Sequence, residues 1–417
     1  MDPVNPPRAT FEQWRVLAML VVCVLVNYLD RGNLSVSATH LTRDLALSPE
    51  RMGVLLSAFS WTYVFFLLAA GWLLDRFDVY RLLAAGFFIM SISTALTALV
   101  TGFTPLLVLR LGVGMGGSVA FPAFSKILAG NFAETQRGKA NAAIDFGTKT
   151  APAIGMLLGG LIIAHQGWRA LFAILGLVPL VWIPLWFWWR PKTHVAQEAA
   201  AALALDPPPT TLELLGQRSV WGTFFGLFCL NSAWYFLITW FPYYLEKERH
   251  FSTERMAVLG SLPFWMLAVS TTLSGWTADR WIARGGAPTL VRKTFLLTGM
   301  LMCTLLLPAG IVKDDAVSIG LFTLACFAFG MTTSNHWGVT QTIAGPAAAG
   351  KWTGMQNAFG NVAGITTPWI TGLIVGRTHS FYWAFVLVAL AAALGACSYG
   401  FLVGKVEPIQ WRRTQSL

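Results

Sequence analysis

Charge is the scarcest thing in this chain: only 12% of its 417 residues are Asp, Glu, Lys or Arg, where an ordinary soluble domain carries roughly 25%. So little polar surface cannot keep a globule of this size in water. The 55% hydrophobic content lies in long runs rather than in the alternation of a sheet, so lipid is the expected solvent. Cysteine is scarce too. The five thiols, Cys23, Cys229, Cys303, Cys326 and Cys397, fall inside apolar runs without ligand spacing, which excludes a disulfide framework and a metal site. No Ser/His/Asp arrangement, zinc spacing or phosphate-binding loop is present, so neither an enzyme nor a bound cofactor is expected. Gly112, Gly114 and Gly117 formally match G-x-G-x-x-G, but the run sits in an apolar span with no strand before it and reads as close-packing glycine. The net charge of +10 does not point to nucleic acid, because the basic residues sit in short loops between apolar spans. The polar stretch Met1 to Arg15 has no small-residue cleavage site after the first apolar run, so that run is expected to stay as a helix.

What is present is enough apolar length for twelve crossings of about 20 residues each. The expected spans are 15–38, 52–74, 81–101, 104–129, 138–163, 168–190, 219–245, 254–277, 291–312, 316–343, 352–376 and 381–404. An even count puts both termini on one side. Of the 29 Lys and Arg, 18 fall in the segments on the terminus side, eight on the other side, and three (Arg31, Arg110, Lys149) inside spans. That asymmetry places both termini in the cytoplasm. The longest connection, with its alanine run and Asp206-Pro207-Pro208-Pro209, splits the spans six and six. The expected organisation is a six-helix half over 1–190, a cytoplasmic linker over 191–218 and a second half over 219–417. An internal repeat supports it. Gly71-Trp72-Leu73-Leu74-Asp75-Arg76 closes the second span and Gly275-Trp276-Thr277-Ala278-Asp279-Arg280 closes the eighth. Parallel six-helix repeats are a known transporter architecture.

The G-x-x-x-D-R sequence at Gly71, Asp75 and Arg76, repeated at Gly275, Asp279 and Arg280, resembles the signature of the major facilitator superfamily, and the likeness covers essentially the whole chain. A narrower match lies in Asn27-Tyr28-Leu29-Asp30-Arg31-Gly32-Asn33-Leu34-Ser35, in Ser57-Ala58-Phe59-Ser60-Trp61-Thr62-Tyr63 and in Phe121-Pro122. These resemble the anion:cation symporter branch, which includes bacterial galactonate and hexuronate carriers and is related to sialin and the vesicular glutamate transporters. The resemblance implies an all-α membrane protein with the major facilitator fold, two pseudo-symmetric halves and alternating access. It implies gating by the two signature loops. It makes Arg31 the substrate-binding arginine, Tyr63 a substrate contact, and Arg110 part of the gating and coupling network. The branch's two-acid carriers have a glutamate seven residues after the helix 4 arginine, where this chain has Gly117. Two-acid coupling through that helix is therefore not expected.

An ionisable group at the centre of a span costs at least a few kcal/mol and marks a functional candidate. Five occur here: Asp30, Arg31, Arg110, Asp145 and Lys149, three cations against two anions. A surplus of one positive charge suits an anion. Arg31 and Arg110 each offer a planar fork matched to a carboxylate and cannot discharge. Arg31 could instead pair with Asp30, though neighbours on a helix point about 100° apart; Arg110 could turn outward to the interface. Asp145 and Lys149, four apart, share a helical face and either pair with each other or serve substrate and proton. In the branch this stretch is uncharged, so the pair is a departure. Burial and the Arg31 guanidinium act on Asp30 in opposite senses, which makes Asp30 the expected proton-coupling acid with Asp145 as substitute. From the second half, Ser334, Asn335, Gln356, Asn357 and Asn361 offer neutral polar groups to a hydroxylated substrate. His336 is as consistent with packing as with proton relay.

The expected function is proton-coupled symport of a small organic anion, a carboxylate such as a sugar acid, by a monomer in the inner membrane, with protons as the coupling ion. The alternative is an exporter or exchanger of organic anions or drugs on the same fold; a drug exporter would favour acidic groups in an aromatic cavity. For the topology, a Thr211→Cys variant is expected to resist impermeant thiol reagents added outside intact cells, and labelling from outside would contradict a cytoplasmic linker.

Overall fold

The structure, a computed structural model, describes residues 10–132, 134–189 and 209–411. Most of the expected linker, residues 191–208, lies outside the described residues, as do the ends of the chain. No strand occurs among the described residues.

The helices follow from apolar runs closed by local caps. Helix α1, Phe11–Val36, starts on a capping box in which Gln13 N donates to Thr10 Oγ1 (3.3 Å) and Thr10 N donates to Gln13 Oε1 (2.8 Å). A short helix, Ala38–Asp44, follows it. Then come α2, Pro49–Arg76, and α3, Val79–Thr97, the latter capped by Asp78 accepting from Arg81 N at 2.8 Å. After α4, Phe103–Asn131, a long helical stretch from Glu134 turns at Gly167, giving α5 (134–166) and α6 (168–189). The second half repeats the pattern: α7, Arg218–Lys247, α8, Thr253–Ala283, α9, Pro288–Ile311, α10, Asp315–Gly345, α11, Ala347–Thr378, and α12, Tyr382–Leu402. Among the described residues ten apolar helical stretches are long enough to cross a bilayer. Lys139–Trp189 contains the turn at Gly167 and crosses twice, and the 28-residue α2 completes twelve. Gly167 (φ 81°) and Gly345 (φ 64°) occupy left-handed backbone at the α5/α6 and α10/α11 reversals, where a side chain would be strained.

The chain divides into two compact units, Met1–Leu47 with Ala58–Ala199, and Ser48–Ser57 with Ala200–Leu417. In lipid the hydrophobic drive between helices is weak, so close backbone approach and buried hydrogen bonds carry the packing. In the first unit a Cβ on Gly86 of α3 would meet the Gly116 carbonyl of α4 at 2.7 Å, and one on Gly147 of α5 would meet Val24 of α1 at 2.8 Å. The glycines of α4 are thus contact points, Gly112 against Ser93, Gly114 against Phe59 and Gly117 against Asn27. Indoles add directional ties: Trp182 Nε1 of α6 donates to Met19 O of α1 and Trp186 Nε1 to Tyr80 O of α3, both at 3.0 Å.

In the second unit a Cβ on Gly330 of α10 would meet Leu267 O of α8 at 2.6 Å, and one on Gly360 of α11 would meet Leu227 of α7 at 2.7 Å. There Trp240 Nε1 donates to Pro368 O (3.0 Å) and Trp352 Nε1 to Thr223 Oγ1 (2.9 Å), joining α7 to α11 twice.

On the side of the first unit away from the N-terminal end of α1, Trp168 Nε1 donates to Asp44 Oδ2 (2.8 Å) and Arg43 Nε to Asp44 Oδ1 (3.0 Å). The indole hydrogen bond first, then the guanidinium, holds the Asp44 carboxyl below the usual carboxylate range. A group depressed in this way contributes stability fully present above its unfolded value, about 3.9, and lost as pH falls through the folded one. Trp168→Phe is therefore expected to lower stability by about 1 kcal/mol at pH 7, since Asp44 is partly solvated. In thermal unfolding of the purified protein the gap to wild type should shrink below about pH 4. A gap that does not change with pH would assign the loss to packing.

Candidate functional site

In the first unit α1 places Asp30 and Arg31 next to each other in sequence, yet their side chains leave the helix in different directions. Arg31 turns back one turn, where its Nε donates to Asn27 Oδ1 at 3.2 Å. There its guanidinium lies within 4.7 Å of the Tyr28 ring centre, 4.8 Å of Phe59 and 4.4 Å of Tyr63. Phe59 and Tyr63, four apart on α2, stack on each other at 5.3 Å. Three rings around one cation contribute attraction of about 0.5–2 kcal/mol each without neutralising it. A permanent positive charge is thereby held at a defined point in an apolar helix pair.

Asp30 is fully buried. Its Oδ1 accepts from Asn33 Nδ2 at 3.1 Å; its Oδ2 has no hydrogen-bond partner among the described residues, with the Thr94 hydroxyl of α3 beside the carboxyl. Arg110 of α4 is 2% exposed and does not turn outward. Its Nη1 donates to the Asp30 backbone carbonyl (3.1 Å) and to Asn33 Oδ1 (3.3 Å). Arg110 therefore reaches Asp30 through the main chain and through Asn33. The space beside Gly117 is filled from α1. Asn27 Nδ2 donates to Gly117 O (3.3 Å), and a Cβ on Gly117 would lie 3.0 Å from that nitrogen.

On α5, Asp145 is exposed and Lys149 half-buried, and Asp145 is the charge that acts on Lys149. They lie on the stripe of α5 turned away from the Gly147 contact with α1.

In the second unit the polar groups divide. Asn335 and Gln356 are fully buried and committed within the chain. Asn335 donates to Met331 O (2.9 Å) and accepts from Arg292 Nη1 (3.1 Å), while Gln356 accepts from Thr340 Oγ1 (2.7 Å) and donates to Thr223 O (3.3 Å). Ser334 donates to Thr271 O at 3.3 Å. Asn361 accepts from the Tyr235 hydroxyl (2.7 Å) and donates to Asn357 Oδ1 (2.9 Å). Asn357 lines a cavity of about 670 Å³ with Trp337, Gln341, Thr353 and neighbouring glycines. His336 Nδ1 lies 3.1 Å from Thr332 O, and its ring is 4.5 Å from that of Trp337.

The signature loops share one local device. Arg76 lies 4.3 Å over the Trp72 ring and Arg280 lies 5.4 Å over Trp276, each one turn apart. Gly71 meets nothing, while Gly275 admits Ser334 of α10 at 3.2 Å. Asp279 accepts from Arg292 Nη2 at 2.8 Å; the Asp75 side chain lies outside the described residues. Sequence reading did not single out Tyr28 and Phe59 as the walls of the Arg31 cage, Asn33 as the bridge to Arg110, or Arg292 as the partner of Asp279 and Asn335. The spacings 28/31 and 59/63 were visible; the distant partners were not.

The family model described as Major Facilitator Superfamily matches residues 20–368. A probable galactarate/D-glucarate transporter GudP of Escherichia coli (strain K12) is 30% identical, covering 97% of this chain and 96% of that protein. A hexuronate transporter of Bacillus subtilis (strain 168) is 31% identical, covering 94% of each. Among solved structures, the crystal structure of the D-xylose-proton symporter superposes with a TM-score of 0.76 at 17% identity, over 94% of this chain and 98% of that one, a likeness of fold. With α-helical crossings, paired signature loops and a family match over most of its length, the chain is a membrane transporter belonging to the Major Facilitator Superfamily.

Proposed function

We propose that the chain imports a small organic carboxylate of the sugar-acid class by alternating access, coupled to a proton, from an inner membrane with both termini in the cytoplasm. The observation that carries this reading is the pair at the centre of α1: a caged guanidinium at Arg31 and, one residue before it, a fully buried carboxyl tied to Asn33 through Oδ1 and bordered by the Thr94 hydroxyl. The curated relatives named for galactarate/D-glucarate and for hexuronate support the sugar-acid class.

The substrate carboxylate binds the edge of the Arg31 guanidinium while the three rings hold its faces. That brings a second negative charge close to Asp30 in a medium where like charges repel strongly. A proton on Asp30 removes the repulsion, so proton and anion favour each other's binding, and the coupling is reciprocal by linkage. Asn33 keeps Asp30 tied to Arg110 while Asp30 changes charge, because it donates to one and accepts from the other. With Gly117 in place of a second acid, Asp30 is the principal coupling group.

Arg31→Ala is expected to weaken substrate binding about 30-fold or more, in line with the 2–5 kcal/mol for losing one partner of a desolvated charged hydrogen bond. Wild-type affinity in the purified variant would remove the anchor. In proteoliposomes Asp30→Asn should abolish accumulation driven by a proton gradient while retaining counterflow. Accumulation at the wild-type level would refute coupling at Asp30, and loss confined to Asp145→Asn would move the coupling acid to α5.

A further inference from the structure

Beyond α12 the chain stays on the second unit. Residues 403–411 have no regular secondary structure, so their backbone groups have to find partners elsewhere. Val403 and Val406 are buried and anchor the segment. At its root, Lys293 Nζ of α9 donates to Gly400 O (3.2 Å) and Val403 O (2.6 Å), and Arg218 Nη2 of α7 donates to Phe401 O (3.0 Å). Further on, Gly404 N donates to Ser219 Oγ at the start of α7 (3.3 Å) and Val406 N to Thr289 Oγ1 at the start of α9 (2.9 Å). At the far end Ile409 N donates to Ile343 O and Trp411 Nε1 to Ala344 O, both at 2.9 Å. The segment therefore crosses from α12 past α7 and α9 to the end of α10. We propose, resting on the topology and the carrier reading above, that residues 403–411 are a cytoplasmic strap that latches the α10/α11 turn and slows exchange of substrate with the cytoplasm.

The carbonyls that the strap engages fix what it can do. Ile343 and Ala344 end α10, where a helix leaves its last acceptors without intrahelical donors, and both residues are buried away from water. Gly345 follows in left-handed backbone (φ 64°) and is the pivot of the reversal. On the other side of that pivot the Trp411 ring meets Trp352 of α11 edge-on, with centroids 6.4 Å apart, and Trp352 is itself bonded to Thr223 of α7. Trp411 thus holds both arms of the hairpin, the α10 arm by its N–H and the α11 arm by its ring. Lys351 Nζ, at the start of α11, donates to Pro209 O in the segment leading to α7 (3.0 Å), so the turn is tied from that side too.

The same turn forms part of a cavity wall. Gly345, Ala349 and Gly350 line the cavity of about 670 Å³ together with Trp337 and Asn357. Residues this small hold little by their own packing; a Cβ added at Gly345 or Gly350 would meet nothing within 4 Å. The position of the rim depends instead on what is tied to it from outside. Each bond lost from the end of α10 makes local opening of the turn more frequent. Docked, the strap acts as a brake on the cavity mouth; undocked, it leaves the Gly345 pivot free to move.

The test reads hydrogen exchange and counterflow on the full-length chain. Trp411→Ala is expected to speed exchange of the amides at 341–345 about tenfold, for loss of one capping hydrogen bond together with the ring contact. In proteoliposomes the same variant should raise the counterflow rate of a sugar acid at least about twofold, because opening steps commonly limit turnover. Ile409→Pro removes only the N–H given to Ile343 and should move both readings in the same direction. Trp411→Phe keeps a ring but loses the donor and should fall between Trp411→Ala and wild type. A tail that only adds stability would lower the melting temperature of Trp411→Ala without raising counterflow; that result, or unchanged exchange at 341–345, overturns the inference. Counterflow that is present in wild type and unmoved in the variants overturns the strap alone, whereas wild type without counterflow of any sugar acid overturns the carrier reading and the gating role with it. Should Trp411→Ala fail to fold, Ile409→Pro and Trp411→Phe decide by the same two readings.

Discussion

The first unit depends on one constraint: a charge inside an apolar span has no bulk water, so its partners have to come from neighbouring helices. Arg110 meets that constraint by crossing from α4 to α1, where its donors find the Asp30 carbonyl and the Asn33 amide oxygen. The same contact keeps Arg110 from the Asp30 carboxylate oxygens as a direct pair. Asp30 is left with one oxygen satisfied by Asn33 and, among the described residues, one without a hydrogen bond. Asn33 stands between them and joins α1 to α4.

Arg31 meets the constraint differently. Its hydrogen bond to Asn27 orients it, and Tyr28, Phe59 and Tyr63 surround it with π faces. Ring contacts stabilise a cation without cancelling its charge, so the attraction for an anion persists. Asn27 serves twice, because its amide also donates to Gly117 O and fills the space that glycine leaves. The departure at Gly117 is therefore part of how Arg31 is positioned, since one amide meets both.

The second unit carries no charge of this kind deep in its spans. Its buried amides are mostly structural: Asn335 ties α10 to Arg292 and through it to Asp279 of the signature loop, and Gln356 joins α11 to α7 and α10. Asn357 lines a cavity together with Trp337 and a second amide, Gln341. The two repeats thus keep the same loop signature and the same Arg-over-Trp stacking while their interiors differ.

The twelve crossings, the helical class and the repeated loop were legible in the sequence, because the length and polarity of a segment decide whether it can cross a bilayer, and both are local properties. Legible too were the five charges out of place, since their cost depends only on where they fall along a span. The partners of those charges were not legible. Whether Arg110 turned outward or inward, whether Asp30 and Arg31 met, and which amides were already committed all depend on the rotation and axial register of helices far apart in sequence. Asn33 meets Arg110 across 77 residues and Asn335 meets Arg292 across 43. Close glycine contacts set that register, such as Gly86 on Gly116 and Gly147 on Val24, and a shift of one residue rotates a side chain by about 100° and out of reach. The sequence by itself determined that cations would lie inside this membrane protein and that Lys149 would share a helical face with Asp145; the tertiary structure decided that Arg110 would be committed to α1 and Arg31 held in an aromatic cage, because only packed helices bring Arg110 to Asn33, and Phe59 and Tyr63 to Arg31.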